Sequence, residues 1–271
     1  MTGTPLWIRE IEDRSRGLPV LLVEGEDDVS LIEHFLAQHT PSWRQFVVVA
    51  CAGGKQHVFG AVSQYHPADW FGIVDRDEWS AADIEKCLAE VPRVRCLPRF
   101  CIESFFCDPE ELWAALPALQ RGRVGNDPRV LAEPILAKLP DWIAHGAMWR
   151  VLRELYGKAR LPHELENQPV ANEATIRAIL TEWHKALAPD TVLQQYHEQL
   201  VKAAALSQAE QLHAYIHGKK FFRQVVVQVL DHLFSGKGQD DWVERFRDAP
   251  ILPPKDLSAL FDEIVTLAQP E

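Results

Sequence analysis

The chain contains no stretch of 18 uncharged apolar residues, so no membrane-spanning helix is expected. It has no Cys-x-x-Cys pair; its five cysteines (Cys51, Cys87, Cys96, Cys101, Cys107) are an odd number suited to reduced thiols. The N-terminus, MTGTPLWIREIEDRSRG, has no apolar core of a secretory signal, and the expected location is cytoplasmic. Basic charge is scarce: 28 Lys and Arg stand against 39 Asp and Glu, for a formal net charge of -11. Such a chain does not coat nucleic acid non-specifically; a polyanion would need a local basic strip or a bound divalent metal. Walker A and Rossmann glycine patterns are missing too. The nearest segment, Gly53-Gly54-Lys55, has Val49 where a Walker loop begins and Gln56 where it needs Ser or Thr, which argues against ATP binding there.

What the 271 residues do contain is an ordinary globular balance, 47% hydrophobic and 25% charged. Short apolar runs at 19–23 (PVLLV), 46–50 (FVVVA), 70–74 (WFGIV) and 94–97 (VRCL) read as buried strands. Helical patterns lie between them: Val29 to Leu36, Gln56 to Tyr65, and a segment capped by Ser80 that runs to about Glu90. This alternation predicts a parallel α/β sheet flanked by helices. After Cys107 the strand signals stop. A helix opens at Asp108-Pro109, and the polar stretch 121–129 is taken as a link. Helices are expected near 130–156, 171–187, 191–216, 219–234 and 256–268, punctuated by Pro162, Pro169, Pro189 and Pro253-Pro254. The expected division is an α/β domain over 1–120 and a helical domain over 121–271.

Glu24 follows the first strand, and Asp75 and Asp77 follow the third. Ligands of open parallel sheets bind at the carboxyl ends of the strands, so these acids are expected in one crevice. Their oxygens suit Mg²⁺ or Mn²⁺, ions that orient a phosphodiester and activate water. Acids at strand ends are also commonly just loop solvation; Asp-x-Asp after one strand with Glu-Gly after another favours the site. Asp28 either supports a metal through water or simply complements a helix dipole. Glu103, between apolar residues in CIESFF, is either a site residue or half of a structural ion pair. Lys55 and the pair Lys219-Lys220 are the candidate phosphate contacts. Arg93, Arg95 and Arg99, with Lys219, Lys220 and Arg223, could form a basic strip. The tryptophans at Trp113, Trp142 and Trp149 read as core packing rather than base stacking.

VLLVEGEDD followed by FGIVDRDEW resembles the TOPRIM domain, the metal-dependent phosphodiester module of topoisomerases, primases and OLD-type nucleases. More closely, VEGEDDVSLIEHF, ACAGGKQHV, FGIVDRDEW, CIESFF and HGKKFF resemble the DUF4435 family of TOPRIM-like proteins. The resemblance spans roughly residues 18–110 and, weakly, 215–225. It implies Glu24 as a metal ligand or general acid/base and Asp75 and Asp77 as metal ligands. Glu78-Trp79 stands where TOPRIM domains often carry a glycine, which speaks against topoisomerase or primase activity. The implied function is Mg²⁺- or Mn²⁺-dependent cleavage of RNA, such as tRNA, or DNA. The implied context is anti-phage defence with an AAA or ABC-type ATPase partner, with oligomerisation open. Two alternatives stand beside it: a non-catalytic module that docks a partner, and a nucleotide-binding or phosphate-transferring α/β enzyme.

Overall fold

The computed structural model describes residues 4–66, 68–159, 172–236, 238–248 and 253–268. Residues 160–171, with Pro162, Pro169 and the expected start of a helix at 171, lie outside the described residues.

The α/β expectation holds: four parallel strands are flanked by helices. Strands β1 (Val20–Val23), β2 (Val48–Cys51), β3 (Trp70–Val74) and β4 (Val94–Cys96) lie in the order β2-β1-β3-β4. Every residue of β1 and β3 is buried, which is why both read as unbroken apolar runs rather than alternating ones. β2 begins later than its apolar run suggests. Phe46 and Val47 donate their backbone N–H groups to the Trp43 carbonyl (both 3.1 Å), so the chain is still turning there. Helix α1 (Leu6–Ser15), not expected from the sequence, buries Ile8 and Ile11 against the sheet core.

Helix α2 (Glu26–His39) follows β1 directly. Its buried face is Leu31, Ile32, Phe35 and Leu36, and Glu26, Asp27 and Asp28 occupy its first turn, where the helix dipole favours anions. Helix α3 (Lys55–Gly60) follows β2, and helix α4 (Ala81–Glu90) is capped by Ser80, which accepts from the Asp83 N–H. The close approach of α3 to β3 requires Gly72, because a methyl group there would overlap Val58.

The chain forms two compact units, Met1–Ala137 with His217–Glu271, and Lys138–Ile216. The units do not part at residue 120. Helices Ala118–Arg123 and Arg129–Leu136 reach into the expected link from both ends, and Leu131 and Ile135 of the second are buried. The C-terminal helices return to the sheet unit: His39 bonds Asp262 (2.9 Å), Arg95 bonds Glu263 (2.7 Å) and Arg99 bonds Asp256 (2.8 Å). In the other unit the segment expected as one helix over 191–216 is two, Pro189–Ala204 and Gln208–Tyr215. Ser207 interrupts it by capping the second helix at the Glu210 N–H. Trp43, Trp70 and Trp242 are the fully buried tryptophans, whereas Trp113, Trp142 and Trp149 are only half-buried.

A short helical turn, Gly218–Phe221, docks on the Ile102–Phe106 segment. A Cβ at Gly218 would overlap the Ser104 hydroxyl and lie 2.8 Å from Cys101 Sγ. We expect Gly218→Ala to cost about 1–3 kcal/mol and to shift Lys219 away from Glu103. Chemical denaturation, with the Lys219 signals followed by NMR, checks both effects.

Candidate functional site

β1 and β3 are neighbours on the two sides of the point where the strand order reverses, the place where open α/β sheets bind ligands. Glu24 and Asp75 follow directly from these two strand ends. Glu24 Oε1 accepts a 2.7 Å hydrogen bond from the Asp75 backbone N–H, tying the loops together. Asp77 has a left-handed backbone (φ 49°), a conformation Asp tolerates better than most residues, and its N–H donates to the Phe100 carbonyl at 2.9 Å. Asp28 Oδ2 accepts from the Gly25 N–H at 2.8 Å, closing the start of α2.

These residues line one cleft of about 530 Å³. Seven carboxylates (Glu24, Glu26, Asp27, Asp28, Asp75, Asp77 and Glu103) face it, with Lys219 and His217 opposing them. Glu103 is 5% exposed and lies 3.7 Å from Lys219 Nζ; Lys219 also reaches Asp27 at 3.3 Å. Glu103 is therefore both an ion-pair partner and a wall of the cleft. Lys220 is not among the lining residues.

Lys55 is turned toward the acids rather than outward. Its ammonium donates to Asp77 Oδ2 (2.6 Å) and to the Asp75 carbonyl (2.7 Å), and lies 3.7 Å from Glu24 Oε1. Three arginines of the anticipated basic strip are engaged by other side chains. Arg99 is 2% exposed and bound by Glu111 and Asp256, Arg95 is paired with Glu263, and Arg93 stacks on Phe71. Each arginine is drawn to a carboxylate or ring that folding brings beside it, an interaction that residue order alone does not reveal.

Crowded carboxylates raise one another. Burial pushes Asp75 well above the usual carboxylate range, and Asp28, Glu24, Asp77 and Glu103 push the same way. Burial also raises Glu24, against the opposing pull of Lys55 and the Asp75 N–H. Burial lifts Asp28 to about 6; the Gly25 N–H lowers it, and Glu103 and Glu24 raise it.

Asp28 gives a pH signature. Its folded-state value exceeds the unfolded one, so the native protein holds a proton that the unfolded chain releases. The stability from this proton is full below about pH 4, declines as pH rises to about 6, and is lost above it. Asp28→Asn keeps an acceptor for the Gly25 N–H but removes the charge. It should stabilise the metal-free protein near pH 7.5 by up to about 3 kcal/mol, with the gain vanishing near pH 4. Thermal melting in EDTA across this range tests the expectation.

No protein-family model and no curated protein matches this chain. Among the described residues no three His, Cys, Asp or Glu side chains converge on one point as metal ligands. The donor set nevertheless fits a hard cation: carboxylate oxygens from adjacent strand ends, already drawn around the positive ammonium of Lys55. Mg²⁺ commonly takes only one or two protein carboxylates and keeps water or phosphate elsewhere.

All five cysteines are free thiols. Cys51 and Cys101 line the cleft, a placement that the sequence analysis did not anticipate. No helix among the described residues is long and apolar enough to cross a membrane.

Proposed function

We propose that this cleft is a TOPRIM-like divalent-cation site that cleaves nucleic-acid phosphodiesters. The observation that carries the reading is Glu24 and the Asp75-Arg76-Asp77 segment meeting at adjacent strand ends, in a cleft lined by seven carboxylates. Asp75, Asp77 and Glu24 would hold Mg²⁺ or Mn²⁺, with Asp28 and Glu103 supporting. When bound, such an ion polarises a phosphoryl oxygen and lowers the pKa of water. Glu24 commits Oε1 to the Asp75 N–H, and its raised pKa suits it to exchanging a proton with the attacking water or leaving oxygen. Lys219, about half exposed at the rim, offers a positive charge to a phosphate of the substrate. The acidic surface otherwise repels a polyanion, so productive binding requires the cation.

The test is cleavage of labelled tRNA, single-stranded RNA and DNA with Mg²⁺ or Mn²⁺, controlled by EDTA and by Asp75→Asn. Cutting that needs the metal and disappears in the folded variant supports the reading and names the substrate class. An ATPase partner and a role in anti-phage defence extend the same proposal; they are tested by repeating the assay with a candidate ATPase.

A second reading, a non-catalytic docking module, is favoured by the exposed apolar side chains Ile176, Leu180 and Leu187 in the Lys138–Ile216 unit. Divalent-ion binding without cleavage of any substrate, with or without the ATPase, would favour that reading.

A further inference from the structure

Lys55 is held more closely than a phosphate-reading lysine needs to be. Gly53 and Gly54 precede it with positive φ angles (78° and 137°), which L side chains rarely adopt, and they launch α3. Beyond its two hydrogen bonds and its approach to Glu24, the ammonium lies 4.3 Å from the ring centroid of Trp79. Trp79 in turn stacks on Phe59, with centroids 6.2 Å apart. The Lys55 side chain is 14% exposed, against 53% for Lys219 at the rim. A flexible side chain thus meets oxygens and a ring from three separate segments, the ends of β1 and β3 and the turn before α4. Charge-assisted bonds and a cation–π contact offset the rotamer freedom it gives up.

The ammonium uses oxygens that a metal would need. Asp77 Oδ2 is 2.6 Å from Nζ, and a second cation at that oxygen would face a like charge at contact distance.

We propose that Lys55 is the resident counter-cation of the cleft, and that a divalent ion binds Asp77 only in exchange for it. The proposal rests on the metal-binding reading of the site. Without metal, Lys55 offsets the mutual repulsion of the carboxylates and keeps the strand-end loops assembled. With metal, the ammonium leaves Asp77 and the face of Trp79. The Glu78-Trp79 departure from the TOPRIM glycine pattern thereby acquires a role: the ring is part of the seat that holds the lysine.

Calorimetric titration of Mn²⁺ and Mg²⁺ into the full chain and into Lys55→Met tests the exchange, alongside melting in EDTA. The variant is expected to bind the ions about tenfold more tightly, having no cation to displace. It is also expected to melt below the native protein in EDTA, with saturating Mn²⁺ closing the gap. Equal or weaker binding by a folded Lys55→Met overturns the exchange and leaves metal binding intact. Should Lys55→Met fail to fold, the native chain provides a second readout. Mg²⁺ should change its tryptophan emission, and the change should be absent in Trp79→Phe. Mg²⁺ binding without a Trp79-dependent change overturns the proposal. If the native chain and the variant bind neither ion, the metal reading falls and takes the exchange with it.

Discussion

Asp75→Asn is expected to make the metal-free protein more stable while removing divalent-ion-dependent cleavage. Asp75 lies among Asp28, Glu24, Asp77 and Glu103, and burial with four like charges raises its pKa well above the usual range. At neutral pH an ionised carboxylate there costs native stability, and the amide removes that cost without changing the side-chain shape. The contacts that assemble the loop survive the substitution because they are made by the backbone: the Asp75 N–H donates to Glu24, and its carbonyl accepts from Lys55. The same substitution deletes a hard anionic oxygen from the proposed metal set. Losing one preorganised charge-stabilising group commonly costs 10²–10³-fold in rate, so cleavage should fall by at least about 10²-fold. Melting temperature and cleavage rate, measured on the same preparation, should therefore move in opposite senses. A lower melting temperature would contradict the electrostatic account. A folded variant that still cuts at the native rate would remove Asp75 from the catalytic set.

Arg99→Met is expected to cost about 3 kcal/mol, the lower end of the range for breaking a buried ion pair. Arg99 is 2% exposed, and its guanidinium binds Glu111 through two hydrogen bonds (2.6 and 2.7 Å). It also binds Asp256 (2.8 and 3.1 Å) and covers the Phe105 ring at 4.5 Å. The lower figure follows from the carboxylates: Glu111 and Asp256 remain about one-third exposed and regain water when the arginine is lost. The effect should reach the cleft. Arg99 precedes Phe100, whose carbonyl holds the Asp77 N–H and whose ring stacks on His217 with centroids 5.0 Å apart. Denaturant titration gives the stability loss. Hydrogen exchange should show Lys255–Ala268 opening first, with the Asp77 amide losing protection alongside it. Uniform loss of protection would mean that Arg99 supports the unit as a whole rather than clamping the last helix.

The sequence was enough for the features set by local composition. Four short apolar runs separated by helical periodicity specify a parallel α/β sheet, because strands buried on both faces have no polar side to show. Ser80 and Asp108 mark helix starts by side-chain chemistry acting over three residues or fewer. Glu24, Asp75 and Asp77 were legible as a group because parallel strands present their carboxyl ends on one side. Tertiary structure alone decided the rest. The return of residues 217–271 to the sheet, and the pairing of Arg99 with Asp256, depend on contacts between residues up to 223 positions apart. The turn of Lys55 toward Asp77 and Trp79, rather than toward an incoming phosphate, has the same kind of origin. A cation settles by the electrostatic field and ring surfaces that folding brings around it, and that field is a property of the assembled strand ends rather than of any one segment.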